Sequence, residues 1–164
     1  MRRPARKPLD ARKAADPLAV RAAAFAHLAR RDFASGELIR KLAAQGYDPA
    51  VSVATVAELT ADRYIDDARF SENYVAYHAN RGAGPIRIEA HLKACGLSCE
   101  LIDTALATVP DWRLRAQAVR ARKFGLEPPE TWPEKARQAR FLQYRGFSSD
   151  HIRLALGADC NLDD

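Results

Sequence analysis

The chain has 164 residues, of which 48% are apolar, 29% charged and 8% aromatic, a composition typical of a globular protein with one or two small cores. No stretch approaches the roughly 20 apolar residues that a membrane-spanning helix requires, and no apolar segment follows the charged N-terminus to make a secretory signal. The three cysteines are an odd number, which argues against a disulfide framework. We therefore expect a cytoplasmic protein with reduced thiols and no membrane contact.

The net charge of +5 is unevenly distributed along the chain. Residues 1–17 carry six basic and two acidic side chains, so we expect a basic, flexible tail there, and we expect an acidic tail at 158–164. The stretch from Trp112 to Leu126 is also basic and contains no acid. Its basic residues are Arg113, Arg115, Arg120, Arg122 and Lys123. This distribution favours a polyanionic partner, either nucleic acid or a nucleoprotein assembly.

After the basic tail, the first predicted helix covers Leu18 to Arg31. Its apolar positions Val20, Ala24 and Leu28 have the spacing of one helix face. A pair of helices follows it, and the signal for this pair is a pattern that occurs three times in the chain.

The pattern recurs every fifty residues and is centred on Gly46, Gly96 and Gly146. In each copy a leucine stands four residues before the glycine, a large apolar residue follows it, and an Asp or Ser comes next. A glycine can end a helix in the left-handed conformation, and an Asp or Ser two residues later can cap the next helix. Each copy therefore predicts two helices joined at the glycine.

One further helix precedes each of the later pairs, at Ala68 to Arg81 and at Trp112 to Phe124. The segment from Gly125 to Pro133 contains three prolines and is predicted to be a loop. The sequence therefore predicts an all-α protein of three tandem three-helix repeats, nine helices in an elongated array that can curve. The predicted repeats cover 18–64, 65–109 and 110–157.

Between the first two repeats the chain carries its most specific motifs: YIDDARF from Tyr64, YV from Tyr74 and RGAGPIRI from Arg81. They are similar to the signature of the RecX family, the regulators of the RecA recombinase. RFL from Arg140 and RGFS from Arg145 resemble that family's third-repeat block.

The resemblance extends over about residues 18–156 and implies an all-helical protein that binds RecA and its filament on single-stranded DNA. It implies a regulator, not an enzyme, that mainly inhibits RecA in homologous recombination, DNA repair and the SOS response. We expect a monomer. Two positions depart from the family pattern, with His91 where an acidic residue is common and Cys95 where a lysine is common.

Basic residues recur in all three repeats and form the hypothesised surface for the RecA filament or DNA. Arginine suits this role because its planar guanidinium pairs with carboxylate or phosphate through two hydrogen bonds. For any single residue, an ordinary solvated helix face remains the alternative. The candidate partner-binding residues are Arg40, Lys41, Arg69, Arg81, Arg87, Lys93, Arg140 and Arg145.

The alternative function is a helical nucleic-acid-binding module that acts on DNA directly. Weak, nonspecific DNA binding fits the basic segments and would depend strongly on salt. Sequence-specific reading is disfavoured, because the positions after the predicted caps are mostly apolar or acidic, as in Pro49-Ala50 and Cys99-Glu100.

We predict no catalytic residue, no metal site and no cofactor. Asp66 and Asp67 are interpreted as helix-capping residues and not as a metal or acid/base pair. The GAGP turn is interpreted as the junction of two helices and not as a phosphate cradle. His91, Cys95 and Cys99 have helical spacing but lack a fourth ligand for zinc.

Overall fold

The computed structural model describes residues 10–157; the predicted tail segments at 1–9 and 158–164, with Cys160, lie outside them. Over this range the chain forms ten α-helices and no strand, so the all-α prediction is confirmed. No described helix has the length and apolar character required of a membrane-spanning segment. The helices are α1 (Ala11–Ala14), α2 (Pro17–Leu28), α3 (Ser35–Ala44), α4 (Pro49–Ala61), α5 (Asp67–Asn80), α6 (Pro85–Cys95), α7 (Cys99–Ala107), α8 (Trp112–Phe124), α9 (Trp132–Arg145) and α10 (Ser149–Leu156).

The expected number of nine helices is one too few, because α1 lies inside the segment predicted as a flexible tail. The side chain of Asp10 accepts a hydrogen bond from the backbone N–H of Arg12 at 3.0 Å and so caps this short helix. The predicted loop at Gly125 to Pro133 is too long, since α9 already begins at Trp132. A capping box between Thr131 and Glu134 starts α9, and proline is tolerated in a first helical turn.

The repeated glycines have the predicted left-handed conformation, with φ of 92°, 89° and 88° at Gly46, Gly96 and Gly146. In each repeat the side chain two residues later accepts a hydrogen bond from the first turn of the next helix. These capping residues are Asp48 for α4, Ser98 for α7 and Ser148 for α10. The helix-glycine-cap-helix pattern is therefore confirmed in all three places.

The described residues form two compact units. The first comprises residues 10–70 together with Ala94–Leu97, and the second comprises Ser71–Lys93 and residues 98–157. Helices α5 and α6 contribute residues to both units. The boundaries of the three sequence repeats do not coincide with these units and stay a prediction.

In the first unit, α2, α3 and α4 pack on one another around a core that includes the fully buried Leu38, Leu42 and Leu59. Apolar burial of this kind stabilises a fold by about 25 cal/mol per Å². Helix α3 has no capping side chain of its own, because Ala34 precedes it. Asp67 supplies the cap from a distance, accepting hydrogen bonds from the N–H and hydroxyl of Ser35 at 2.8 and 2.5 Å.

The two adjacent aspartates of the motif thus have separate structural roles. Asp66 accepts a hydrogen bond from the backbone N–H of Arg69 at 2.9 Å and caps its own helix, α5, as predicted. Asp67 caps α3 instead, which the sequence does not show. Both carboxylates therefore complement the positive end of a helix, as a helix dipole favours.

In the second unit, α8, α9 and α10 pack on one another around Leu142, Phe147 and Ile152. The turn before α6 lies directly on the end of α9. The N–H of Gly84 donates to the carbonyl of Arg145 at 2.7 Å, and the N–H of Ile86 donates to the carbonyl of Gly146 at 3.0 Å. A Cβ atom at Gly84 would overlap the backbone of Gly146, so the approach requires glycine.

Arg120, in the basic stretch of α8, is buried with 6% of its surface exposed. Its guanidinium donates to the carbonyl oxygens of Leu126 and Glu127 at 2.8 and 2.9 Å and to the side-chain oxygen of Gln138 at 3.3 Å. These bonds hold the proline-rich loop onto α8 and α9. Arg120 is therefore a structural residue. The basic stretch of the sequence favours a polyanionic partner, but Arg120 does not belong to a surface for one.

Candidate anion-binding site

The second unit contains an open pocket of about 620 Å³ whose lining has four arginines and no acidic side chain. The arginines are Arg81, Arg87, Arg122 and Arg145. Three rings also line the pocket, those of Tyr74, His78 and His91. We call this cavity the arginine pocket.

Three of the four arginines stand at the C-terminal end of a helix. Arg81 follows the last residue of α5, Arg122 lies in the last turn of α8, and Arg145 is the last residue of α9. Cations are favoured there by the partial negative charge of the helix end. Arg87 lies in the first turn of α6, which the contact between Gly84 and Arg145 holds against the end of α9. Local helix chemistry and one backbone contact therefore bring the four charges together.

The pocket arginines are anchored by carbonyl oxygens and aromatic rings. The guanidinium of Arg145 donates to the carbonyl of Arg81 at 3.3 Å and lies 5.3 Å from the ring centre of Phe141. That of Arg81 lies 5.3 Å from the ring of Tyr77. Arg87 donates to the carbonyl of Tyr144 at 3.5 Å. These contacts orient the side chains but do not neutralise their charge.

Within residues 10–157, none of the four pocket arginines forms an ion pair with a carboxylate. Like charges that share one cavity repel each other, and the cavity walls concentrate their field. A bound anion would relieve this repulsion and could accept hydrogen bonds from several guanidinium groups at once. The arrangement therefore favours a negatively charged ligand chemically.

The rings of the pocket form a contacting group. Tyr74 and His91 are stacked, with ring centres 4.5 Å apart and planes 3° from parallel, and Tyr74 also lies 4.0 Å from His78. Burial, first, and then the positive charges of His91, Arg81 and Arg87 lower the pKa of His78. The fixed positive charge of the pocket therefore comes from its arginines.

Of the eight basic residues predicted to bind a partner, the structure brings three together in the arginine pocket: Arg81, Arg87 and Arg145. Lys93 and Arg140 are exposed and do not line it. Lys93 pairs with Glu89 at 2.5 Å, and this contact raises the pKa of the lysine. The remaining three are exposed residues of the first unit: Arg40, Lys41 and Arg69. A role in partner binding stays a prediction for all eight.

The sequence-based selection missed Arg122 and the two histidines His78 and His91. Arg122 lies in the acid-free stretch that the sequence marks as basic, and its place in the last turn of a helix was a usable signal. His91 departs from the family pattern, which was a second signal. Nothing in the spacing of His78 indicates that its ring reaches the pocket.

The fold and the pocket define a class of protein: a helical protein built from three-helix units that presents a concentrated positive surface. Two family models match the chain, that of the second three-helix domain of RecX over residues 66–106 and that of the third over residues 115–156. Curated relatives extend the match over most of the chain. The chain belongs to the RecX family.

One relative is the regulatory protein RecX of Halorhodospira halophila, which is 41% identical over 85% of this chain and 88% of its own length. The RecX protein of Pseudomonas fluorescens is 40% identical over 87% of this chain and 93% of its own. The crystal structure of RecX from Lactobacillus salivarius aligns with a TM-score of 0.71 at 19% identity, covering 85% of this chain and 93% of that one. At that identity the structural match supports the fold, while the curated relatives place the chain among regulatory proteins.

Proposed function

We propose that this protein binds RecA and the RecA filament on single-stranded DNA and mainly inhibits RecA in homologous recombination, DNA repair and the SOS response. Membership of a family of regulatory proteins named RecX supports modulation of RecA. In this proposal the protein acts in the cytoplasm as a monomer and carries out no chemical step of its own.

The observation that carries the proposal is the arginine pocket. A RecA filament on DNA offers phosphates and acidic side chains, and guanidinium groups pair with both. Four such groups without a carboxylate partner form a surface that an anionic assembly can occupy at little cost in broken ion pairs. An ordinary solvated face would intersperse acids with bases.

The second candidate function, direct binding to DNA without RecA, is favoured by the same pocket. The structure confirms that α4, α7 and α10 begin with Pro49, Cys99 and Ser149, directly after their capping residues. These first turns contain few long polar side chains that could read base edges. Direct binding would therefore be nonspecific and would weaken as salt is raised.

The test is DNA-dependent ATP hydrolysis by the cognate RecA, with this protein added from well below the RecA concentration. The wild type is expected to lower the rate. The triple variant Arg81→Gln, Arg87→Gln, Arg145→Gln removes three pocket charges and should raise the half-inhibitory concentration by about tenfold or more.

The matched control also removes three positive charges, at residues outside the eight candidates: Arg113→Gln, Lys123→Gln and Arg137→Gln. These residues are exposed and do not line the pocket, so inhibition should change by less than about threefold. No effect of saturating wild-type protein on ATP hydrolysis contradicts the RecA proposal. Equal loss in both triple variants contradicts the role of the pocket.

A further inference from the structure

The arginine pocket combines charge with an aromatic stack, and an acidic protein surface would use only the charge. We propose that the pocket binds the single DNA strand itself, with a phosphate among the guanidinium groups and a base against the ring of His91. This inference rests on the proposed function, in which that strand is part of the filament, and it names the component of the filament that enters this site.

The shape of the pocket favours a strand over a folded protein surface. The four arginines line one cavity of about 620 Å³, and two of them, Arg87 and Arg145, are carried by segments in direct backbone contact. A single strand is thin and its phosphates project outward, so it can enter a concave site. A carboxylate on a folded surface is held on a short side chain and meets such a cavity mainly at its rim.

A phosphate can also accept hydrogen bonds from several of these guanidinium groups at once. A phosphodiester presents two unbonded oxygens that accept several hydrogen bonds, and arginine binds them through its planar fork. Arg122 lines the pocket, has no carboxylate partner within residues 10–157, and its guanidinium lies close to the buried Gly82. The fork of Arg122 is therefore available to a ligand.

The rings of the pocket provide a flat surface on which a nucleobase can stack. His91 is exposed, and one face of its ring is held nearly parallel to Tyr74 at 4.5 Å, which fixes the orientation of the imidazole. Proteins that bind single strands combine a basic groove with rings on which bases stack, because every base has a flat face. A flat ring beside uncompensated arginines is that combination.

The experiment measures binding of a fluorescent oligothymidylate to the full chain by anisotropy, without RecA, over a series of salt concentrations. The key pair is Arg122→Gln and Lys123→Gln, neighbours on α8 that lose the same charge, of which only Arg122 lines the pocket. Arg122→Gln should weaken binding about tenfold and reduce the slope of log K against log salt by about 0.7. Lys123→Gln should change the affinity by less than about threefold.

A second pair tests the ring. His91→Ala should weaken binding severalfold at an unchanged salt slope, because it removes stacking and no phosphate contact, and His91→Phe should restore the affinity. Far-ultraviolet circular dichroism and the melting temperature check that each variant is folded. Equal effects of Arg122→Gln and Lys123→Gln, or wild-type affinity in His91→Ala, would overturn the inference.

Two further outcomes separate this inference from the proposed function. If Arg122→Gln loses binding to RecA alone while strand binding is intact, the pocket faces the protein, which overturns the inference and leaves the RecA proposal standing. If strand binding depends on Arg122 and His91 as described but wild-type protein leaves RecA unaffected, the inference is supported and the RecA proposal fails.

Discussion

Two arginines of the first unit, Arg21 and Arg31, and the four of the arginine pocket are in opposite electrostatic surroundings. In the first unit, Arg21 lies 3.4 Å from Glu58 and 3.2 Å from Asp62, and Arg31 lies 2.6 Å from Glu37. The pocket arginines have no carboxylate partner among the described residues. Paired charges serve the fold that contains them, whereas unpaired charges gathered in one cavity cost the fold free energy and are available to a ligand.

This contrast does not appear in the charge of the sequence segments. Residues 18–64 hold six basic and five acidic side chains, and residues 65–109 hold four basic and six acidic ones. Arg81 and Arg87 of the pocket thus come from the more acidic segment. The net charge of a segment therefore does not show which of its charges lack a carboxylate partner.

The largest expected effect on stability distinguishes a buried arginine from a pocket arginine on the same helix, α8. Arg120→Ala should reduce the free energy of unfolding by about 3 kcal/mol, because it leaves a cavity and two loop carbonyls without their donor. Arg122→Ala, two residues later, should cost less than about 0.5 kcal/mol. Urea unfolding followed by circular dichroism measures both, and equal losses would show that the pocket arginine is also structural.

The next effect concerns a carboxylate that serves the fold of the first unit. Asp67→Ala should cost about 1–2 kcal/mol, since the N–H and hydroxyl of Ser35 both lose their acceptor at the start of α3. A double-mutant cycle with Ser35→Ala measures the coupling in urea unfolding. Ser35→Ala keeps the backbone N–H, so additive effects would rule out the hydroxyl contact, and an unchanged free energy of unfolding in Asp67→Ala would rule out the remote cap.

A smaller effect compares one paired arginine with one unpaired arginine. Arg31→Gln should lose about 0.5–1 kcal/mol, from its ion pair with Glu37 and its position 3.6 Å over the ring of Phe33. Arg87→Gln should be neutral or slightly stabilising, because repulsion in the pocket falls. Urea midpoints at low salt measure the difference. If Arg87→Gln destabilises the protein as much as Arg31→Gln does, the unpaired arginine also stabilises the fold and the contrast between the two is wrong.

The smallest effect is a shift in a histidine titration. The pKa of His78 lies below the ordinary value because of burial first and of nearby positive charges second, so Arg87→Gln should raise it. Burial and Arg113 lower the pKa of His151, which therefore should not respond to Arg87→Gln. NMR titration of the ring protons follows both residues. An unmoved His78 would mean that the pocket charges are screened.

The lowered pKa of His78 also makes the free energy of unfolding depend on pH. The unfolded chain takes up a proton near pH 6.5, before His78 does so in the folded protein, so protonation favours the unfolded state. The contribution of His78 to stability is complete above pH 6.5 and is lost as the pH falls through the lowered folded-state pKa. The urea midpoint should therefore be lower at pH 5.5 than at pH 7.5.

The helices follow from local rules, and the sequence predicts them well. The glycines at 46, 96 and 146 and the caps after them depend on backbone conformation and on neighbours within a few residues. Helix α9 begins earlier than the prolines predict, because a capping box at Thr131 starts it. The target of Asp67 could not be predicted, since the helix it caps begins 32 residues earlier.

The candidate site was only partly predictable. Arg81, Arg87 and Arg145 were selected because basic residues recur beside the motifs, but Arg122 joins them only through the packing of the second unit. Residues two apart on a helix point in nearly opposite directions, so Arg120 and Arg122 occupy different faces of α8. Because both faces are basic in the sequence, hydrophobic periodicity does not show which one is buried.

The contact between Gly84 and the end of α9 has a consequence for the thermodynamics of binding. Because main-chain hydrogen bonds join the segments that carry Arg87 and Arg145, the separation of these two residues is set before a ligand arrives. A preorganised site loses little conformational entropy on binding, which leaves more of the interaction energy as affinity. A side chain at position 84 would force the two segments apart and weaken anion binding while every positive charge is retained.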